Sequence, residues 1–219
     1  MKLQIFGKSS TITKKIKSKY TDKFNEIIIT DSKNCEFISN RTNKSSLTDA
    51  ISFDCDAYLI TNGLIGNKNI YSQKKDNFVE SIEVNLYLPI MISETILRKN
   101  KKARIIIMGS ESAIKGSYDT SYFLSKAALE RYVKERTISY SSQQLLMISP
   151  SMILDSNMTQ KRKDLKKIIK SSTKLPKRKL LKTNDVVKLI INLLFSPHYL
   201  TNEVININGG KFSRMGMND

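Results

Sequence analysis

Two side chains able to exchange a proton stand four positions apart in the stretch SYFLSK, residues 121–126. On a helix, Tyr122 and Lys126 would be i, i+4 neighbours on one face. A tyrosine phenol has an ordinary pKa of about 10, and a neighbouring positive charge lowers that pKa. The pair therefore indicates a tyrosine general acid or base assisted by a lysine. An isolated pair of this spacing is more often a surface tyrosine on a solvated helix, so the surrounding elements must decide.

Strands and helices alternate along the chain. Apolar runs without polar alternation are typical of strands that are buried on both faces of a parallel sheet. About seven such strands are predicted, at residues 3–6, 26–30, 36–38, 57–61, 104–108, 145–148 and 203–206. Helical patterns lie between them, near residues 10–19, 45–52, 78–98, 120–139 and 184–195.

This alternation predicts a doubly wound α/β fold, with one parallel sheet and helices on both faces, in a single domain over residues 1–219. The stretch DSKNC, residues 31–35, is too short for a crossover helix, so we expect one such helix to be reduced to a loop. Ligands of such folds bind beyond the carboxyl ends of the strands. The candidate motifs all follow strand ends.

Composition narrows the class of protein. Two cysteines are too few for a disulfide framework, which favours a reducing compartment. No run approaches the roughly 18 apolar residues of a membrane span, and MKLQIFGKSS lacks the apolar stretch of a signal peptide. We therefore expect a cytoplasmic protein without a membrane partner. A net charge of +17 raises the question of nucleic acid, but the lysines are dispersed and no RNA-binding signature accompanies them.

Six stretches, taken in order, resemble the short-chain dehydrogenase/reductase family over nearly the whole chain. They are LITNG (59–63), VNLYLP (84–89), IIIMGSESA (105–113), SYFLSK (121–126), ISPSMI (148–153) and TNEVININGG (201–210). The resemblance implies a Rossmann-like fold and an NAD(P)-dependent oxidoreductase that moves a hydride between nicotinamide and a carbonyl or secondary alcohol. It implies that Tyr122 and Lys126 are catalytic, with Lys126 also binding the nicotinamide ribose. It further implies a homodimer or homotetramer.

Two more catalytic residues follow from the resemblance. The family's serine usually lies thirteen residues before the tyrosine, which is Gly109 here; one deletion in the loop makes Ser110 the match, with Ser112 as the alternative. Asn85 matches an asparagine whose backbone carbonyl holds a water in the family's proton relay. Pro89 has no N–H to donate to that carbonyl, which gives a physical reason for the role. An asparagine that is merely buried and hydrogen-bonded is the simpler alternative.

The stretch after the first strand departs from the family pattern. Glycines there permit a tight turn and a close approach of the pyrophosphate to the helix N-terminus. In FGKSSTITKK, Gly7 is kept, but Thr11 and Thr13 take the other two glycine positions. Their side chains would crowd the phosphates or replace backbone contacts with hydroxyls. A non-catalytic cofactor-sensing or scaffold protein is therefore the alternative function. The cofactor-binding positions implied here are Gly7, Ser10 and Ile12.

Other positions bear on the cofactor. Asp31 ends the second strand, where a carboxylate binds the adenosine ribose hydroxyls and repels a 2′-phosphate, which favours NAD. Lys33 and Arg41 are near enough in sequence to keep NADP open. The resemblance implies further cofactor contacts at Asn40, Asn62, Gly63, Pro150 and Ile153. We expect His198 to be an ordinary surface residue, and no cluster of metal ligands is predicted.

Residues 156–182 match the family's lid over the substrate. This basic lid is rich in Lys and Arg, and Asp164 is its one acidic residue. Basic charge beside an active site raises the local concentration of anionic ligands. The hypothesis is an anionic small-molecule or carrier-linked substrate, such as a nucleotide-linked sugar or an acyl group on an acidic carrier protein or coenzyme A. Alternatively, the lid shares the chain's general lysine excess.

Overall fold

Six parallel strands form one sheet, in the order β2-β1-β3-β4-β5-β6, within the residues that the computed structural model describes. Those residues are 1–31, 44–66 and 70–212, without the side chains of 44–46. The strands are β1 (Lys2–Phe6), β2 (Glu26–Thr30), β3 (Ala57–Ile60), β4 (Arg104–Met108), β5 (Gln144–Pro150) and β6 (Glu203–Ile207). The order reverses between β1 and β3, so a crevice opens there at the carboxyl edge of the sheet.

The central strands bury both faces, as their unbroken apolar runs predict. In β4, Ile106 and Met108 belong to one hydrophobic cluster, while Ile105 and Ile107 belong to the cluster on the opposite face. This division follows from the period of two along a strand. Helices cover both faces, which confirms the doubly wound α/β fold.

Helices connect the strands. They are α1 (Thr11–Lys19), α2 (Lys44–Asp49), α3 (Lys75–Ile82), α4 (Leu88–Lys99), α5 (Ser112–Lys115), α6 (Thr120–Glu135), α7 (Asn157–Gln160), α8 (Leu165–Ser172) and α9 (Thr183–Leu194), with a short 3₁₀ helix at Thr21–Lys23. Helices α1 and α9 pack on one face, and α4 and α6 pack on the other. Among the described residues, none of the helices is long and apolar enough to cross a membrane.

Several boundaries differ from the predicted ones. The helix expected at 78–98 begins at Lys75 and changes to π-helical geometry over Glu83–Tyr87, which ends two residues before Pro89. Helix α6 ends at Glu135 rather than near 139, because the Asn202 side chain donates to the carbonyls of Val133 and Arg136 at 2.7 Å each. The strand predicted at 36–38 and the loop before it lie outside the described residues, except for Asp31.

Candidate active site

The carboxyl edge of the sheet brings the candidate residues together. Gly7 is the first residue after β1. Asn62 is the second residue after β3, and Ser110 is the second residue after β4. The backbone N–H of Glu111 donates to the carbonyl of Pro150 at 3.0 Å, which ties the turn after β4 to the end of β5. Helix α6 begins at the same edge and carries Tyr122 and Lys126 in its first turns.

A buried aspartate fixes the start of α6. Asp119 is the N-cap residue, and it accepts hydrogen bonds from the Tyr122 N–H at 3.0 Å and from the Ser121 hydroxyl at 2.8 Å. Its second carboxylate oxygen accepts the N–H of Gly66, in the loop after β3, at 2.5 Å. Capping of this kind supplies partners for N–H groups that the helix leaves unpaired. One carboxylate therefore sets the position of Tyr122 relative to the loop after β3.

Tyr122 and Lys126 both lie inside the protein. Tyr122 is 8% exposed and Lys126 is 2% exposed, so the pair is not the surface tyrosine of a solvated helix. The Lys126 ammonium donates to the carbonyl of Met108 at 2.9 Å and lies 6.0 Å from the centre of the Tyr122 ring. The carboxyl end of β4 and the first turns of α6 are thereby joined through the lysine.

Burial dominates the protonation of this pair. Burial raises the pKa of Tyr122, and the neighbouring Ser110 hydroxyl offsets part of that rise. This direction is opposite to the lowering expected from the sequence, because desolvation outweighs the other influences on the phenol. Burial also lowers the pKa of Lys126 to about 8. At neutral pH the phenol is protonated, while the lysine is still mostly charged but close to titration.

The hydroxyl beside Tyr122 belongs to Ser110. Its side chain is near enough to the phenol to lower the pKa of Tyr122, and it accepts the backbone N–H of Ser112 at 3.2 Å. A side chain could not replace the hydrogen at Gly109, because a Cβ there would overlap Met147 and would lie 2.5 Å from the Ser149 hydroxyl. The packing around position 109 favours glycine there, and the match of Ser110 to the family's serine stays a prediction.

Asn85 lies in the π-helical segment and is fully buried. Its side-chain oxygen accepts the N–H of Leu64 at 2.9 Å, and its amide donates to the carbonyls of Leu64 at 2.7 Å and Ser81 at 2.9 Å. The side chain is thus occupied in holding the loop after β3. π-Helical turns within helices occur often at functional sites, and Pro89 leaves the Asn85 carbonyl without its usual i+4 donor.

Gly7 and Thr13 determine the conformation of the turn after β1. Gly7 has φ +110°, and a Cβ there would overlap the hydroxyl of Thr61. Thr13 is 1% exposed, and its hydroxyl donates to the carbonyl of Gly7 at 2.8 Å. The Thr13 side chain is thus held by the Gly7 carbonyl and lies next to Thr61. That a threonine here crowds a phosphate or replaces a backbone contact stays a prediction. Thr11, at the other replaced position, is half-buried.

The remaining predicted cofactor residues are distributed around this turn. Ser10 caps α1 by accepting the N–H of Ile12 at 3.3 Å, while the Ile12 side chain lies in the core. The Asn62 side-chain oxygen is buried and has no hydrogen-bond partner among the described residues. Asp31 directly follows β2, and Asn40 lies outside the described residues. The other predicted positions are Gly63, beside Asn85 and Met158, Pro150, which ends β5, and Ile153, which bridges to Leu181.

Hydrogen bonds hold the two ends of the basic lid together, and the lid contacts the carboxyl edge of the sheet. The Asp155 carboxylate accepts the N–H of Thr183 at 2.7 Å and its hydroxyl at 2.8 Å, which holds the two ends of the lid together. Within the lid, the Asn157 side chain donates to the carbonyl of Ser9 at 3.4 Å, and Arg162 lies 5.5 Å from the ring centre of Tyr118. The lid therefore contacts both the turn after β1 and the segment before Tyr122.

Sequence reasoning missed two residues of this site. Asp119 stands three positions before Tyr122, which is N-cap spacing, so its capping role was available from the sequence. Glu111 is 4% exposed and pairs with Lys115, four positions on, and with Lys211 at 3.1 Å. The spacing to Lys115 suggested only a surface pair, whereas the contact with Lys211 depends on the tertiary fold.

Comparisons with known proteins identify the fold. No family model matches the sequence, and no curated protein matches it. Among solved structures, the chain is similar to a short-chain dehydrogenase/reductase from Brucella melitensis, described as a glucose/ribitol dehydrogenase, with 18% identity, a TM-score of 0.82 and coverage of 98% of this chain and 97% of that one. The chain has the short-chain dehydrogenase/reductase fold.

Two further structures agree over nearly their full lengths. BdcA in complex with NADPH has 14% identity and a TM-score of 0.79, with coverage of 96% of this chain and 93% of that one. A 4-hydroxyisoleucine dehydrogenase complexed with NADH has 22% identity and a TM-score of 0.75, with coverage of 98% and 99%. At such identities the likeness concerns the fold, and the chemistry must be argued from this chain's own residues.

Proposed function

We propose that this protein is an NAD(P)-dependent oxidoreductase that moves a hydride between nicotinamide and a carbonyl or secondary alcohol. The observation that carries the proposal is the buried Tyr122 phenol, which has the buried ammonium of Lys126 one helical turn away and Ser110 near enough to lower its pKa. A tyrosine buried only for packing needs neither a serine hydroxyl near its own hydroxyl nor a buried ammonium beside it. Burying a charge is costly, so the lysine indicates a function.

The residues of the turn after β1 fit a dinucleotide. Gly7 has the positive φ and the close backbone approach that such a turn requires. Helix α1 has no acidic residue in its first turn, so its N-terminus is suited to a phosphate. The buried Asn62 oxygen without a partner among the described residues is available to a donor on a ligand. Gly7, Ser10, Asn62 and Lys126 would hold the cofactor, with Ile12 in the first turn of α1 beside its phosphates.

The roles of the chain's own groups follow from their protonation. When bound, nicotinamide would supply or accept the hydride. Tyr122, protonated at neutral pH because burial raises its pKa, would donate a proton to the substrate oxygen in the reducing direction. Ser110 would donate a hydrogen bond to the same oxygen and fix its position. The Lys126 ammonium would stabilise the phenolate that remains after transfer, and Asn85 would hold the loop that borders the site.

Finer features of the function are also proposals. Asp31 at the end of β2 supports NAD over NADP, and the lysine excess of the basic lid supports an anionic substrate, either a small molecule or a carrier-linked acyl group. We expect the protein to act as a cytoplasmic homodimer or homotetramer. An anionic substrate predicts that kcat/KM falls as ionic strength rises to a physiological level, where the Debye length is about 8 Å.

The test of the proposed function is a titration with NADH and with NADPH, followed by nicotinamide fluorescence, together with turnover assays on carbonyl panels. Binding of either cofactor and turnover that depends on Tyr122 are expected. Binding without turnover on any carbonyl would favour a non-catalytic cofactor-sensing protein. If neither cofactor binds at millimolar concentration, the proposal is wrong.

A further inference from the structure

A pocket opens at the carboxyl edge of the sheet, between the basic lid and the turn after β6. We call it the basic pocket, and its lining includes Ser151, Met152, Lys177, Lys179, Gly209 and Lys211. Three leucines of the lid, at positions 175, 180 and 181, also line it, together with Asp185 and Asn208. The pocket therefore combines an apolar wall with three ammonium groups and one carboxylate.

The basic pocket borders the candidate active site. Lys211 lies 3.1 Å from the carboxylate of Glu111, which directly follows Ser110. On the other side, the N–H of Ser151 donates to the carbonyl of Ile207 at 3.0 Å, so the pocket begins where β5 and β6 end. A ligand that reaches Ser110 with one end is therefore next to the basic pocket with the other.

The backbone holds two of the lysines in place. Arg178 has φ +53°, a left-handed conformation that is unfavourable for a residue with a side chain, and its N–H donates to the carbonyl of Leu175 at 2.8 Å. Lys177 and Lys179 flank this turn. The side chain of Lys177 crosses Gly209, where a Cβ would lie 2.9 Å from Lys177 Cγ. Strained turns of this kind are concentrated at binding sites.

The positive charge of the pocket exceeds its negative charge, because three lysines and one aspartate line it and, in the described part of the chain, only Lys211 is paired with a carboxylate, that of Glu111. Within residues 1–31, 44–66 and 70–212, neither Lys177 nor Lys179 forms a salt bridge. The acidic residue in the lining, Asp185, accepts the N–H of Lys182 at the start of α9. Positive charge beside an apolar wall suits a ligand that has an anionic group next to a hydrocarbon segment.

We propose that the basic pocket binds the anionic group, a phosphate or carboxylate, of an amphiphilic substrate whose carbonyl lies at Ser110 and Tyr122. The inference rests on the proposed function, because it assigns the far end of the same substrate. It assigns the anionic group of the substrate to one defined subsite, instead of to a general attraction by the whole lid. Lys177 and Lys179 would be specificity residues, whereas the lysines of α8 would contribute only long-range attraction.

The probe for this subsite is octyl phosphate, with octanol as its neutral counterpart of equal chain length. Binding is measured by calorimetry with saturating NADH present, so that the phosphates of the cofactor occupy their own site. The variant is Lys177→Gln/Lys179→Gln, and the matched control is Lys166→Gln/Lys170→Gln, which removes the same charge from exposed positions of α8. A third variant, Gly209→Ala, keeps the charge but displaces the Lys177 side chain.

The pocket variant should raise the Kd of octyl phosphate by about tenfold, and the α8 control should raise it by about twofold or less. Gly209→Ala should weaken octyl phosphate as well, and octanol should bind weakly to all forms. Equal weakening by both double variants, or no weakening by the pocket variant, would overturn the subsite while leaving the proposed function intact. Failure of NADH to bind, read by its fluorescence in the same samples, would overturn the substrate role together with the proposed function.

Discussion

Helices α1 and α6 begin at the same edge of one sheet, yet the residues that cap their N-termini differ in charge. At α6, the buried carboxylate of Asp119 accepts the N–H of Tyr122 and belongs to the protein itself. At α1, the cap is the neutral hydroxyl of Ser10, the first turn has no acidic residue, and exposed Lys8 stands before it. A helix N-terminus carries roughly half a positive charge, which a carboxylate neutralises.

The difference in capping residue gives the N-termini of α1 and α6 different uses. The N-terminus of α6 is closed by its own carboxylate, so it is unsuited to an anionic ligand and instead holds Tyr122 in a fixed position. The N-terminus of α1 is left for an anion that the protein does not supply. In the proposed function, the residue at the cap, rather than the helix, therefore decides which N-terminus orients the proton donor and which is suited to a phosphate.

The largest effect is expected from Tyr122→Phe, which breaks the α6 side of the comparison only. Removing the transferable proton should lower kcat by roughly 10²- to 10⁴-fold. NADH affinity should stay within about twofold of the wild type, because α1 is untouched. Steady-state kinetics and nicotinamide fluorescence measure the two quantities. Tyr118→Phe, at an exposed position four residues earlier, is the control and should keep full turnover. Wild-type turnover by Tyr122→Phe would contradict the assignment.

Lys126→Met tests the burial that distinguishes α6. The pKa of Lys126 is lowered from 10.5 to about 8 by burial, so between these values the unfolded chain binds a proton that the folded protein releases. Stability contributed by this group therefore rises with pH across that window. The rise should be about 2 kcal/mol between roughly pH 7.5 and 9.5, and Lys126→Met should lack it.

Urea unfolding of the wild type and of Lys126→Met at several pH values measures this difference. The control is Lys134→Met, which removes a half-exposed lysine from the last turn of the same helix and should follow the wild-type pH dependence. An unchanged pH dependence in Lys126→Met would mean that the lysine is charged and stable inside the folded protein throughout this range.

The sheet was predictable from the sequence for a physical reason. Strand β4 was predicted at residues 104–108, where it is found, because a strand buried on both faces leaves a local apolar run. The pairing of Tyr122 with Lys126 was predictable too, since i, i+4 geometry is local. Such features depend on neighbours within a few residues.

The features that escaped prediction depend on distant contacts. The Asp119 carboxylate meets Gly66, which is 53 residues away, and the Thr13 hydroxyl lies 3.2 Å from that of Thr61, which is 48 residues away. The direction of the Tyr122 pKa shift was wrong for the same reason, because it is set by burial, a property of the whole fold. Residue types identified the site, but only the tertiary structure gives the charges within it.

Thr13→Val sharpens the comparison on the α1 side. The change keeps the shape of the side chain but removes the hydroxyl that donates to the Gly7 carbonyl. Loss of one buried hydrogen bond should lower the free energy of unfolding by about 1 kcal/mol. NADH affinity should fall as the turn loosens. Thr13→Ser keeps the hydroxyl and should retain most of both. A Thr13→Val protein that binds NADH as tightly as the wild type would show that the hydroxyl does not support the turn.

The smallest effect is expected from Asp31→Ala, which probes the charge next to the open N-terminus of α1. Asp31 directly follows β2, whose last residue accepts the Gly7 N–H at 3.1 Å, so its carboxylate lies at the α1 side of the edge. Removing this charge should shift the ratio of NADH to NADPH affinity toward NADPH by about fivefold, the size expected for a half-exposed charge pair.

Asp22→Ala removes the same charge from the turn after α1, at the opposite end of that helix, and should leave the ratio unchanged. Fluorescence titrations with both cofactors measure the ratios. If the wild type already prefers NADPH strongly, Asp31 does not select the cofactor, and the positive charge near α1 determines the preference instead.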